Sequence, residues 1–96
     1  MEIHERLEQV NDQKSFLAFV KALASDWKDE VEKEKKNPSN PYGPGANGWE
    51  NGSIDTFLES AVAWAESTNF GKDQGLEENQ IWKRFAVFLY CGKIYE

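Results

Sequence analysis

All three prolines of this 96-residue chain, and four of its seven glycines, fall between residues 37 and 52. The run reads Asn37-Pro38-Ser39-Asn40-Pro41-Tyr42-Gly43-Pro44-Gly45-Ala46-Asn47-Gly48-Trp49-Glu50-Asn51-Gly52. Proline locks φ and carries no amide donor, and the residue before it is pushed out of the α region. A helix arriving from the N-terminal side must therefore stop at Asn37-Pro38. A connection this long is uncommon in a compact domain and is often functional. Tyr42 and Trp49 give it two aromatic anchors, which a disordered linker would more often lack.

Around this loop the apolar residues recur at helical spacing. Ile3, Leu7 and Val10 suit a short helix over 3–10. Asp12 is a suitable N-cap for a long helix over about 13–35, whose stripe is Phe16, Leu17, Val20, Leu23, Ala24, Trp27 and Val31. Beyond Glu30 only Val31 is apolar, so this end is expected to project into solvent, its lysines favourable to the helix dipole. Ser53 is the expected N-cap of a third helix, with Asp55 in its first turn. That helix carries Ile54, Phe57, Leu58, Ala61, Val62, Trp64 and Ala65. Gly71 and Gly75 punctuate a loop over 68–78. The last helix is predicted over 79–91, with Gly92 as the residue just past its end. Residues 93–96 should then leave in extended form, with Ile94 or Tyr95 returning to the core.

The sequence thus predicts one all-α domain over residues 1–96: a short N-terminal helix and three main helices. The predicted core is Phe16, Val20, Leu23, Trp27, Phe57, Leu58, Ala61, Trp64, Ile81, Phe85, Phe88 and Leu89. If the Trp49 segment paired with the C-terminal tail, the class would be α+β.

Seventeen acidic and eleven basic residues give a formal net charge of −6. That balance repels phosphate backbones, and the chain lacks the basic stripe of nucleic-acid binders. A basic protein surface is the partner that charge favours. One cysteine, Cys91, excludes an intrachain disulfide. The start lacks a basic region followed by an apolar one, and no apolar run approaches the ~20 residues of a membrane span. The expectation is a cytoplasmic protein that meets neither membrane nor nucleic acid, as monomer or homodimer.

No catalytic or cofactor motif stands out. One His and one Cys give no ligand cluster for a metal, and Gly43-Pro44-Gly45 lacks the Lys-Ser/Thr of a phosphate loop. Asp26, Asp29 and Glu30 read as a solvated face. Glu50 with Glu59 could do acid–base work only if burial shifted one of them toward neutral pH. The chain is therefore expected to be no enzyme and to hold no cofactor and no metal. The candidate contact residues are Tyr42, Trp49, Glu50 and Asn51. Trp49 is divided between core anchor and interface anchor. Asn51 is expected to bond backbone where the helix starts. Glu50 lacks a local structural reason and is the first choice for a polar contact.

The pattern Trp49-x-Asn51-x-Ser53-Ile54-x-x-Phe57-Leu58-Glu59, followed by Trp64, resembles a family of small acidic uncharacterised bacterial proteins with a domain of unknown function. The Phe-rich run Ser15-Phe16-Leu17-Ala18-Phe19-Val20 and the ending Gly92-Lys93-Ile94-Tyr95-Glu96 are similar to theirs. The resemblance covers roughly residues 10–96 and implies no activity. The size and acidity suggest a protein-binding module, immunity-like in the manner of toxin systems. Two alternatives stand beside it: a structural or regulatory homodimer subunit, and a small-ligand binder or enzyme using Glu50 and Glu59. Nothing carries over onto the insert 37–44.

Overall fold

The computed structural model describes residues 1–95; Glu96, the last residue of the Gly-Lys-Ile-Tyr-Glu ending, lies outside them. Four α-helices form: α1 (Ile3–Glu8), α2 (Gln13–Lys36), α3 (Ile54–Thr68) and α4 (Ile81–Ile94), with a 3-10 turn at Lys72–Gln74. No strand occurs among the described residues. The all-α expectation holds and the α+β alternative does not. The Trp49 segment does reach the C-terminal helix, through the backbone bond from Glu50 N–H to Lys93 C=O at 2.9 Å, but no strand ladder forms among the described residues.

The helix starts follow the predicted chemistry. Asp12 accepts the Ser15 amide at 2.8 Å, and the Ser15 hydroxyl oxygen accepts the Asp12 amide at 3.1 Å in return. Ser53 and Thr56 cap α3 reciprocally. Such caps satisfy orphan donors of the first turn, at about 1 kcal/mol each.

The predicted end of α4 was wrong. The helix runs through Gly92 to Ile94, and Tyr95 closes it with an N–H bond to Cys91 C=O. Gly92 is not a terminator: a Cβ there would overlap the Phe57 ring. It is glycine because α3 and α4 press together at that point. Lys93 and Ile94 are therefore helical and not extended; Ile94 is exposed, and the Tyr95 hydroxyl meets Ser67 at 3.0 Å at the surface and not in the core.

α4 packs against each of the other three helices. α1 and α2 also pack against each other, whereas α4 is the one α-helix that α3 meets at close Cα distance among the described residues. No pair of Cα atoms from α2 and α3 comes within 8 Å. The buried core is Val10, Phe19, Leu23, Trp49, Ala61, Trp64, Ala86 and Cys91. Phe19, fully buried, was absent from the predicted stripe, while Leu58, Ile81 and Phe85 are exposed. The reason is an error of phase. At 100° per residue, Phe16, Leu17, Phe19, Val20, Leu23, Ala24 and Trp27 cover an arc of about 160°. The core takes the Phe19 edge of that arc and leaves the Leu17 edge open.

Aromatic rings carry much of the packing. One chain runs Phe16, Trp82, Phe85, Phe70 and then Trp64 and Phe88, with adjacent centroids 5.4 to 6.5 Å apart. Phe70 takes a left-handed backbone, φ 53°, which is uncommon for a bulky residue. Arg84 holds it, donating from Nε to its carbonyl at 2.9 Å and lying over its ring. Lys83 donates to the Leu7 and Glu8 carbonyls at the end of α1, and burial pushes its amine below the ordinary value.

Candidate functional site

The loop over 37–53 is fastened to one face of α2 by carboxylates at helical spacing. Glu34 accepts the Ser39 amide at 2.7 Å, the Ser39 hydroxyl at 2.6 Å and the Ala46 amide at 2.8 Å. These bonds, the Ser39 hydroxyl first, hold its carboxyl below the usual range. One turn earlier Glu30, only 4% exposed, accepts the amides of Asn47 at 3.0 Å and Trp49 at 3.2 Å. Another turn back, Asp26 accepts the Trp49 indole N–H at 2.9 Å and pairs with the buried Lys93 ammonium at 2.7 Å. Asn47 donates to Asp26 and Asp29 from its amide, and this bond and Lys33 lower the Asp29 carboxyl.

Two expectations are corrected here. The acidic C-terminal half of α2 does not project freely, and Asp26 and Glu30 are not a solvated face. Backbone amides of a loop that forms no ladder need acceptors, and these carboxylates supply them.

Trp49, 8% exposed, is thereby held between two helices. Its ring meets Trp27 of α2 edge-on at 5.1 Å and stacks with Phe57 of α3 at 6.0 Å. The Lys93 ammonium lies 5.6 Å from its centroid. Because no Cα of α2 comes within 8 Å of one in α3, and the Trp49 ring meets both, Trp49 is the spacer between them. Above it opens an apolar groove of about 470 Å³. Val20, Leu23, Ala24 and Trp27 form one wall; Ile54, Phe57 and Leu58 form the other. The α3 arc repeats the division seen on α2. Ala61, Trp64 and Thr68 face inward, while Ile54 is 82% exposed, Leu58 49% and Val62 44%.

Of the predicted contact residues, Trp49 and Asn51 share the lining of this groove, and Glu50 does not line it. Asn51 bonds backbone, but that of α4 and not of its own helix. Its amide donates to Gly92 C=O at 3.0 Å and Tyr95 C=O at 2.9 Å, capping the end of α4 across space. Glu50 is exposed, and its N–H is the one bound to Lys93. Tyr42 is 97% exposed at the tip of the loop. Glu59 lines a second depression on α3, with Leu58, Val62 and Glu66, where Glu50 takes no part. Cys91 is buried, and burial pushes its thiol up to about 11. Among the described residues no group of three or more His, Cys, Asp or Glu is placed to hold a metal. No helix among them is long and apolar enough to cross a membrane.

Sequence reasoning missed the groove itself, having assigned both of its walls to the core. The signal was present in the width of the apolar arcs. A helix against a single core needs a stripe of roughly 100°, and α2 and α3 each carry about 160°.

The chain belongs to a family of unknown function, DUF7660, whose model matches residues 12–96. No curated protein and no solved structure matches it significantly.

Proposed function

We propose that this chain is a non-enzymatic, cytoplasmic protein-binding module that takes an apolar segment of a partner protein into the groove between α2 and α3. The carrying observation is the groove's open apolar lining, with Ile54 and Leu58 exposed along its α3 wall and Val62 continuing the exposed apolar row just beyond it. Contiguous apolar surface of this kind marks interaction sites. An amphipathic helix laid into an apolar groove is a recurring mode of peptide recognition.

The volume also falls in the ~300–1,000 Å³ range of small-ligand sites. Such sites orient a ligand with a few free polar groups. Asn51 and Ser53, the only polar residues in this lining, already serve as helix caps. That favours an apolar protein segment over a metabolite. The net charge of −6, and an α3 that bears Asp55, Glu59 and Glu66 with no basic residue, favour a partner with a basic surface. An inhibitor that covers such a surface, as an immunity-like protein would, is one form of this module. Trp49 and Asn51 then shape the site from below, and Glu50 and Tyr42 supply contacts beyond its edge.

The test compares wild type, Leu58→Glu and Ile81→Glu as baits in the native lysate, with circular dichroism on each. Ile81 is exposed on α4, away from the groove lining. A partner retained by wild type and Ile81→Glu but lost by folded Leu58→Glu supports the reading. Equal recovery of every captured protein by all three would overturn it.

A further inference from the structure

We infer that the occupant of the groove is an amphipathic helix with divided flanks, acidic along the side that meets α2 and basic along the side that meets α3. This rests on the docking reading above. Its basis is what stands just outside each apolar wall.

On α2, Lys14, Lys21 and Lys28 recur every seven residues, and all three are exposed. Lys21 and Lys28 follow the wall residues Val20 and Trp27 by one position, which is about 100° around the helix. They therefore form the outer rim of that wall. On α3, Asp55 and Glu59 follow the wall residues Ile54 and Leu58 in the same way. Glu59 and Glu66 line the depression on the far side of Leu58 and Val62. Lys21, Lys28, Glu59 and Glu66 form no ion pair among the described residues. The spacing matches as well. Lys21 to Lys28 and Glu59 to Glu66 are each seven residues, two turns, or about 10.5 Å.

The groove is thus apolar along its floor, positive along one rim and negative along the other. Two helical turns of an occupant present flank residues at that same interval. Rim charges of this kind select partners and orientation in paired helices, partly by repelling the wrong ones. A uniformly basic helix would meet the α2 lysines as like charges. A second copy of this chain, laid face to face, would set groove against groove and leave both apolar walls without a ridge to fill them.

The probes are three synthetic 18-residue helical peptides with one apolar stripe of leucines. The first has glutamates on one flank and lysines on the other, the second lysines on both, the third glutamates on both. Binding to the intact chain is read by Trp emission, since Trp27 and Trp49 line the groove, and by amide shifts mapped onto α2 and α3. Exposed pairs are each worth about 1.5- to 5-fold in affinity. The divided peptide should therefore bind about tenfold tighter than either uniform one. Lys21→Glu with Lys28→Glu should move that preference to the all-lysine peptide, and raised salt should narrow every gap. If all three bind in the groove equally, the groove reading stands and the divided-flank inference is overturned. If none perturbs α2 or α3, docking itself is overturned. A self-associated dimer, seen by sedimentation, that excludes all three peptides would make the second copy the occupant and overturn the inference as well.

Discussion

Replacing Gly45 by alanine tests whether Glu30 is what fastens the loop. A Cβ at Gly45 would overlap the Glu30 carboxylate, which is itself held by the Asn47 and Trp49 amides. The added methyl can be housed only if that carboxylate moves and loosens both bonds. Hydrogen bonds to a buried charged group contribute about 1.5–3 kcal/mol each. Losing both in Glu30→Ala should cost about 3 kcal/mol, once water reaching the freed amides is allowed for. Glu30→Gln keeps an acceptor oxygen in place and should cost about 1 kcal/mol. Gly45→Ala alone should cost about 2 kcal/mol, as overpacking does. In a Glu30→Ala background the obstacle is gone. The same substitution should then be neutral, or stabilising by about 0.5 kcal/mol through a less flexible unfolded chain. The double-mutant cycle should therefore show a coupling of about 2 kcal/mol. Urea unfolding followed by Trp emission and circular dichroism supplies all four values. If Gly45→Ala costs the same in both backgrounds, Glu30 does not hold the loop and the reasoning fails.

Three further outcomes follow from single sites. Gly92→Ala should destabilise by about 2 kcal/mol in urea unfolding, although alanine is the better helix former, because its methyl meets Phe57; Phe57→Leu in the same chain should recover part of that loss. Glu34, held below its ordinary 4.5 by Ser39 and Ala46, contributes stability present above that value and lost as pH falls through its lower folded value. Thermal melts from pH 6 down to pH 3 should accordingly show a decline that is smaller in Glu34→Gln. Cys91, with its thiol pushed up to about 11 by burial, should react with a thiol reagent at pH 8 far more slowly in the folded chain than in urea. Equal rates in both would show that it is not buried.

What the sequence made legible was whatever is decided locally. Asp12 and Ser53 cap their helices because their side chains reach amides three residues away, a relation visible in any sequence. The stop at Asn37-Pro38 is of the same kind. What it hid depends on partners far along the chain. Gly92 looks like a helix terminator until Phe57, thirty-five positions earlier, is seen against it. Asp26, Glu30 and Glu34 look like a solvated stripe until the loop returns to α2 and offers amides. Asn51 has the right chemistry for a cap, but nothing local says that it caps α4. The candidate site was half legible for the same reason: Trp49 and Asn51 line it, while both walls read as core because periodicity shows that a face is apolar and not what covers it.

Trp49 joins the two halves of this picture and limits how it should be tested. Its amide and indole are bound by Glu30 and Asp26, and its ring touches Trp27 and Phe57 on either side of the groove. The ring separates two helices that share no close backbone contact. Truncating it to alanine would remove a buried aromatic side chain, at about 3–5 kcal/mol. It would also let α2 and α3 approach, so the groove would change shape before any partner met it. Loss of binding in Trp49→Ala therefore cannot distinguish contact from scaffold. Leu58 and Ile54 stand on the opposite wall and are exposed, so changing them alters the surface while leaving the spacer in place. Function and stability are coupled through the loop: the carboxylates of α2 that hold it down are the same groups that keep the groove open.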